Sequence, residues 1–418
     1  MKRIKQIKYL LVVLILVNGI AIYAQAPLDG YLVEAANNNP GLKSRFSEYM
    51  ATLEKIPQAG ALPDPQIAFG YFIRPVETRL GPQIARISAS QMFPWFGTLG
   101  AKEDAVTEMA KSKYEMFEEA KSRLFYDVRS TYYNLYFSQK AINITTGNID
   151  ILNTFRKLAL IKVEAGLASS ADVLRVEIEI ADLENQLALL RDNYFVMQAS
   201  FNNLINVEQQ RLISLPDSLY NSGIDLSYEA IRDSIITGNH QVLQLEFMEA
   251  LYEKQKVVAK KAGKPNLMLG IDYMFVGNNT DIMTNPSGSG RDAIIFPIVG
   301  ISIPLYRQKY TSMVKEAVLM QESTEYNKMD KINVLETTFE KSHRDYRDAD
   351  RRISLYKNQS VRAKKVLNIL QTEYETSGKN FEEVLRVERQ LLKYQLELEK
   401  ASADKYAAIA FMDYMMGK

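Results

Sequence analysis

Alternation of apolar and polar positions marks four short segments as strands. They are residues 66–73, 83–93, 266–276 and 293–303. In the second, Ile84, Arg86, Ser88 and Ser90 alternate with Ala85, Ile87 and Ala89. In the third, Leu267, Leu269, Ile271, Tyr273 and Phe275 share one face, with Met268 and Met274 on the other. A strand crossing a bilayer needs about 9–11 residues, which these segments approach or meet. A longer period governs most of the remaining chain. Val173, Val176, Ile180, Leu183, Leu187, Leu190, Tyr194, Met197, Phe201 and Leu204 keep spacings of three and four without a miss, the seam of supercoiled helices. Val384, Val387, Leu391, Tyr394, Leu398, Ala401, Ala408, Met412 and Met415 repeat that seam, with Lys405 the only lapse.

The chain is written twice. Pro65-Gln66-Ile67-Ala68-Phe69-Gly70 returns as Pro265-Asn266-Leu267-Met268-Leu269-Gly270, and Val173-Leu174-Arg175-Val176-Glu177 returns unchanged at 384–388. Each copy reads helix, two strands, very long helix, turn, long helix. The expected organisation is a first repeat over 25–207, a connector over 208–226 and a second repeat over 227–418. Helices are expected over 28–59, 169–207, 227–261 and 380–416, and in the two long stretches that end at Gly166 and Gly378. Each long stretch has about 70 residues, roughly 100 Å of helix. Gly147 is a candidate kink. Gly166 and Gly378 can end helices in the left-handed conformation, and Ser169 to Asp172 and Asn380 to Glu383 have the spacing of capping boxes. The tip turns near 166–172 and 378–383 are therefore expected side by side.

Residues 1–24 read as a cleaved signal peptide, with Lys2, Arg3, Lys5 and Lys8 before an apolar run and small residues after it. Without them 47 basic residues face 50 acidic ones, a net charge of −3 that gives nucleic acid no electrostatic reason to bind. The chain has no cysteine, so neither disulfides nor a lipidated cysteine anchor is expected. After the signal no run of 18 apolar residues remains, so a membrane-embedded form would have to use strands.

Four strands are too few for a barrel, since single-chain barrels start at about eight, and an open edge in hydrocarbon leaves backbone groups unpaired. A membrane reading thus requires several chains to share one barrel; the alternative is a small soluble sheet under helices. Phe93, Trp95 and Phe96 stand where the second strand ends, and Tyr306 holds the equivalent place in the other copy. Aromatics at strand ends form membrane-interface girdles. The other reading is a buried aromatic corner.

With the duplicated plan, Leu62-Pro63-Asp64-Pro65, Phe93-Pro94-Trp95-Phe96-Gly97 and the tip from Gly166 to Glu177 on the page, the chain resembles the TolC family of outer-membrane efflux proteins. The Pro-Asp-Pro and Phe-Pro-Trp-Phe-Gly pieces are most similar to its CusC/CzcC-like heavy-metal branch. The resemblance implies a mostly α fold with a membrane β-barrel portion: a homotrimer whose twelve-stranded barrel sits in outer-membrane lipid above a coiled-coil periplasmic tunnel. It also implies a periplasmic adaptor (membrane fusion) protein at the tips and an inner-membrane pump, often of the resistance-nodulation-division type. The connector would form an equatorial belt. Gly166, Asp172, Arg175, Gly378, Glu383 and Arg386 are the implied tip, gate and adaptor-contact residues. Where the family has a second acidic position, this chain has Arg175 and Arg386, which points to a mixed ring of ion pairs; the alternative is that both arginines merely solvate the helix.

No enzyme is expected. His240 and His343 are the only histidines; the first is explained by a turn, the second by a charged, solvated helix face. Neither belongs to a cluster that would ligate a metal, and no cofactor motif or nucleophile is present. The function classes left open are an exit duct for heavy-metal cations, a duct for drugs or type I secreted polypeptides, and a secreted coiled-coil scaffold without a pore.

Overall fold

A computed structural model describes residues 27–78, 81–219, 223, 226–277, 293–377 and 380–418. The signal segment, the loop 278–292 and Gly378 lie outside the described residues. The chain order is α1 (Pro27–Asn38), α2 (Pro40–Leu53), α3 (Lys55–Gly60), β1 (Gln66–Val76), β2 (Gln83–Phe93), α4 (Thr98–Glu164), α5 (Ser170–Leu204), α6 (Tyr228–Gly238), α7 (His240–Ala262), β3 (Asn266–Val276), β4 (Ala293–Ser302), α8 (Arg307–Ser377) and α9 (Phe381–Met415). These elements fall into two compact units. One comprises the described residues up to Ser44 with Glu118–Asn239 and Val334–Lys418; the other comprises Arg45–Phe117 and His240–Asn333. Each unit draws on both halves of the sequence.

Two helices expected to be continuous are broken. The 28–59 stretch stops at Asn39, whose Oδ1 accepts from the Leu42 amide at 3.0 Å while Pro40 opens the next helix. It stops again near Glu54, because Pro57 has no amide to give the Leu53 carbonyl. The 227–261 stretch stops at Asn239. The two asparagines do equivalent work: Asn39 Nδ2 donates to the Leu204 carbonyl and Asn239 Nδ2 to the Met415 carbonyl, both at 2.9 Å. Each thus satisfies a carbonyl that the end of a seam helix, α5 or α9, leaves unpaired. The long helices follow the expectation, and Gly147 interrupts nothing in α4.

The helical unit has its core where α4, α5, α8 and α9 meet. Leu152 and Phe155, Val176 and Ile180, Leu367 and Tyr374, and Val384 and Leu391 are all buried there. Lys405 is no lapse in the packing. It is 3% exposed, ion-paired to Asp350 at 2.8 Å and placed over the Tyr346 ring. A lysine fits the seam because its stem is apolar and its ammonium reaches a carboxylate at the rim. The connector is pinned to this unit: Gln198 and Asn202 of α5 donate to the Arg211 carbonyl, and Tyr132 donates to the Ser214 carbonyl.

In the second unit the strands form one antiparallel sheet in the order β1-β2-β3-β4. Ile87 sits between Phe69 on β1 and Tyr273 on β3, and Tyr273 faces Ile295 on β4. β2 and β3 have the expected bounds; β1 runs three residues further and β4 one fewer.

One carboxyl in the helical core has no charge partner on it. Glu388 is 1% exposed and accepts from Asn148 Nδ2 through Oε1, while its Oε2 and the Asn148 Oδ1 have no partner. Burial pushes its pKa from 4.5 up to about 7; the Glu179 charge adds to this, and Asn148 and Arg389 oppose it. A proton on Oε2 satisfies both orphaned oxygens by closing a reciprocal carboxyl–amide pair. Because the folded pKa is raised, this contribution is complete below about pH 4.5 and is lost as pH rises through about 7. We predict that thermal unfolding shows a loss on the order of 3 kcal/mol across that window. Glu388→Gln, whose amide can make the same two bonds, should abolish this slope; an unchanged slope would refute the assignment.

Candidate functional site

Two groups of residues singled out in the sequence are chemically distinct. The first is the pair of helix tips. Gly166 closes α4 at φ +70°, with the Leu167 amide on the Lys162 carbonyl at 2.8 Å and the Gly166 amide on the Val163 carbonyl at 3.0 Å. These two bonds form a Schellman turn, which needs a residue free to take a positive φ. Ser169 then caps α5, its hydroxyl accepting from the Ala171 amide at 3.2 Å. Asp172 does not complete the capping box. Its carboxylate accepts instead from Arg175 at 3.2 Å, one turn on.

The second tip departs further from expectation. Asn380 precedes α9 at φ +68°, and its side chain makes no cap. Asparagine is one of the few side chains that tolerates this conformation, and its amide is then turned away from the helix start. Glu383 bonds Arg386 through both carboxylate oxygens, which holds its pKa below the usual range. The Asp172–Arg175 and Glu383–Arg386 ion pairs each lie within one helix. Arg175 also reaches Glu382 of the other tip at 3.6 Å.

The sequence did not single out the residues that join the tips beneath the charges. Tyr374 and Phe381 stack with centroids 4.6 Å apart. Lys162 donates to the Glu375 carbonyl at 2.6 Å, with its ammonium 5.9 Å from the Tyr374 ring centroid. Burial pushes the Tyr374 hydroxyl up to about 12, and the Asp172 carboxylate adds to the shift. Tyr374 could have been found as the apolar position seven residues beyond Leu367. Lys162 gives no such signal, since a lone lysine near a helix end ordinarily faces water.

The second group is the aromatic set at the strand ends. Trp95 is 40% exposed and Phe96 83%, and Tyr306 is equally open, so this is no buried corner. Gly97 turns the chain at φ +71°, where the Phe96 carbonyl accepts from Lys261 Nζ at 3.1 Å. Phe93, Trp95 and Phe96 border a cavity of about 330 Å³ with an almost wholly apolar lining; Tyr306 stands outside it.

The faces of the sheet differ most in its middle strands. One carries Ile67, Phe69, Tyr71 and Ile73 of β1, then Ile87, Ile271, Tyr273 and Val299 across the register, all exposed. The other carries Arg86, Ser88, Ser90, Gly270 and Asp272 on β2 and β3, with Arg86 ion-paired to the fully buried Asp272 and bonded to Ser88 at 2.9 Å, and it also carries Met268, Met274, Ile294, Phe296 and Ile298. Among the described residues no helix is long and apolar enough to cross a membrane, and no group of acids and histidines is placed to hold a metal ion. His343 is not a solvated surface residue. It is half-buried, its ring 5.1 Å from Tyr228 and 5.8 Å from Phe339. His240 opens α7 with Nδ1 2.8 Å from Glu115 Oε2.

Residues 31–207 match the family described as "Outer membrane efflux protein". No curated protein matches the chain in sequence. Several solved structures share the fold. The outer-membrane channel OprN gives a TM-score of 0.78 at 14% identity, covering 94% of this chain and 90% of that one. VceC of Vibrio cholerae gives 0.77 at 14%, covering 94% and 97%. CusC, described in terms of folding and transmembrane channel formation, gives 0.76 at 14%, covering 94% and 95%. The TM-scores establish a common fold, and equal identities to all three do not single out the CusC-like branch. The chain therefore has the fold shared by OprN, VceC and CusC, and its residues 31–207 carry the sequence pattern of the outer membrane efflux protein family.

Proposed function

We propose that this chain is the outer-membrane channel subunit of a tripartite efflux system: a passive exit duct that performs no chemistry. The observation that carries the reading is the sheet. Its strands are 10 or 11 residues long, one face is a continuous exposed band of isoleucine, valine, phenylalanine and tyrosine, and β1 and β4 each have an unpaired edge. An apolar band of this kind is excluded from water and suits a hydrocarbon core, whereas open edges are excluded from hydrocarbon. Both demands are met if three copies join β4 of one to β1 of the next, placing twelve strands in a shared barrel with the Arg86, Ser88 and Asp272 face inward. The family match and the common fold support this reading.

The duct receives its cargo from an inner-membrane pump of the resistance-nodulation-division type through a periplasmic adaptor that docks on the exposed helix tips. We infer heavy-metal cations as cargo, from the likeness of Leu62-Pro63-Asp64-Pro65 and Phe93-Pro94-Trp95-Phe96-Gly97 to the metal branch. The tip arginines close the duct in this reading, Arg175 and Arg386 offering guanidinium groups beside Asp172, Glu382 and Glu383.

Two measurements test the reading. Light scattering of detergent-extracted protein should give a trimeric mass, and a folded monomer would refute the shared barrel. In planar bilayers the wild-type channel should conduct poorly and Arg386→Ala should raise conductance several-fold. Unchanged closure in Arg386→Ala and in Arg175→Ala would remove these arginines from the gate.

A further inference from the structure

The apolar cavity beside Trp95 lies on the same sheet face as the exposed aliphatic band. Phe93 pairs with Leu267, and Leu267 with Ile301, so the side chains of three adjacent strands form its floor. Trp95, Phe96 and Pro265 form its rim at the end of the sheet where the strands join the helices. At about 330 Å³ it is at the small end of ligand cavities, which run from roughly 300 to 1,000 Å³, so it has room for part of an acyl chain and not for a whole lipid.

Cations stand at this rim. Lys261 Nζ lies on the Phe96 carbonyl at 3.1 Å, and the exposed Lys264 directly precedes Pro265. Among the described residues no carboxylate forms an ion pair with either lysine. Lys254 and Lys256, further back on α7, are by contrast already matched to Asp104 and Glu253. An apolar slot with two uncompensated ammonium groups at its mouth is complementary to one kind of molecule, an amphiphile with a hydrocarbon tail and an anionic head. Long lysine stems also let the charges meet a headgroup while their methylenes stay against the aromatic rim.

We propose that this cavity is a specific seat for an anionic glycerophospholipid, its acyl chain between Trp95 and Ile301 and its phosphate at Lys261 and Lys264. The proposal rests on the membrane reading above, because only the lipid-facing side of a barrel offers such a ligand. It goes beyond a general interfacial girdle, since aromatic rings alone do not choose between headgroups.

Trp95 is the single tryptophan of the chain, so its fluorescence reports on this cavity alone. The full-length protein would be reconstituted in phosphatidylcholine vesicles containing brominated phosphatidylglycerol, and separately in vesicles containing brominated phosphatidylcholine at the same mole fraction. Selective quenching by the brominated phosphatidylglycerol is expected, with an apparent affinity about fivefold higher per lysine, the equivalent of ~1 kcal/mol for each cation at an anionic surface. Lys264→Gln, an exposed change, should lower that preference about fivefold, and Lys261→Gln with Lys264→Gln should erase it. Equal quenching by both brominated lipids, or a preference untouched by the double substitution, would overturn the seat while leaving membrane insertion intact. Absence of quenching by either lipid would overturn the seat and the membrane reading together.

Discussion

A sheet with an apolar outer face and two unpaired edges is stable in neither of the solvents a cell offers. Water penalises the face, at about 25 cal/mol for each Å² of apolar surface left exposed. Hydrocarbon penalises the edges, whose amides and carbonyls would have no partner there. The features nearest the sheet bear on that constraint: its strands are 10 or 11 residues long, and aromatic residues gather where the strands end.

The helical unit answers a different problem. Its long helices bury an apolar seam, and several polar groups caught in that seam are given partners. Lys405 meets Asp350, Lys162 meets the Glu375 carbonyl, and Asn39 and Asn239 each reach the last turn of a seam helix. Such contacts contribute specificity more than net stability, because desolvating a charge costs about as much as its pairing returns. Each has its polar group at one point of the seam only, so it fixes the register of helices that could otherwise slide. Glu388 marks a difference between the two copies. It shares a five-residue segment with Glu177 of the other copy, yet Glu177 is exposed and Glu388 is buried against Asn148. Duplication kept the letters while the packing separated their roles.

The tips show how little separates a structural ion pair from a functional one. Asp172 with Arg175 and Glu383 with Arg386 are each spaced one turn apart on one helix; Glu383 and Arg386 are exposed and their pair is weak, whereas Asp172 is buried and only its arginine is open. The aromatic pair Tyr374 and Phe381 and the buried Lys162 hold the turns in place beneath these pairs.

Periodicity alone determined the kinds of element, their order and the bounds of β2 and β3, because a period of two and a spacing of three and four are local consequences of backbone geometry. Tertiary structure decided what local pattern cannot encode. The breaks at Asn39 and Asn239 depend on carbonyls more than 160 residues away. The burial of Lys405 depends on Asp350 arriving from another helix, and Asn380 takes the left-handed conformation where its neighbour pattern suggested a cap. The cavity beside Trp95 exists only because three strands and two loops converge there. For the two asparagine contacts, Lys405 and the cavity the deciding partner is distant in sequence, and a one-dimensional pattern carries no information about which distant group will be adjacent.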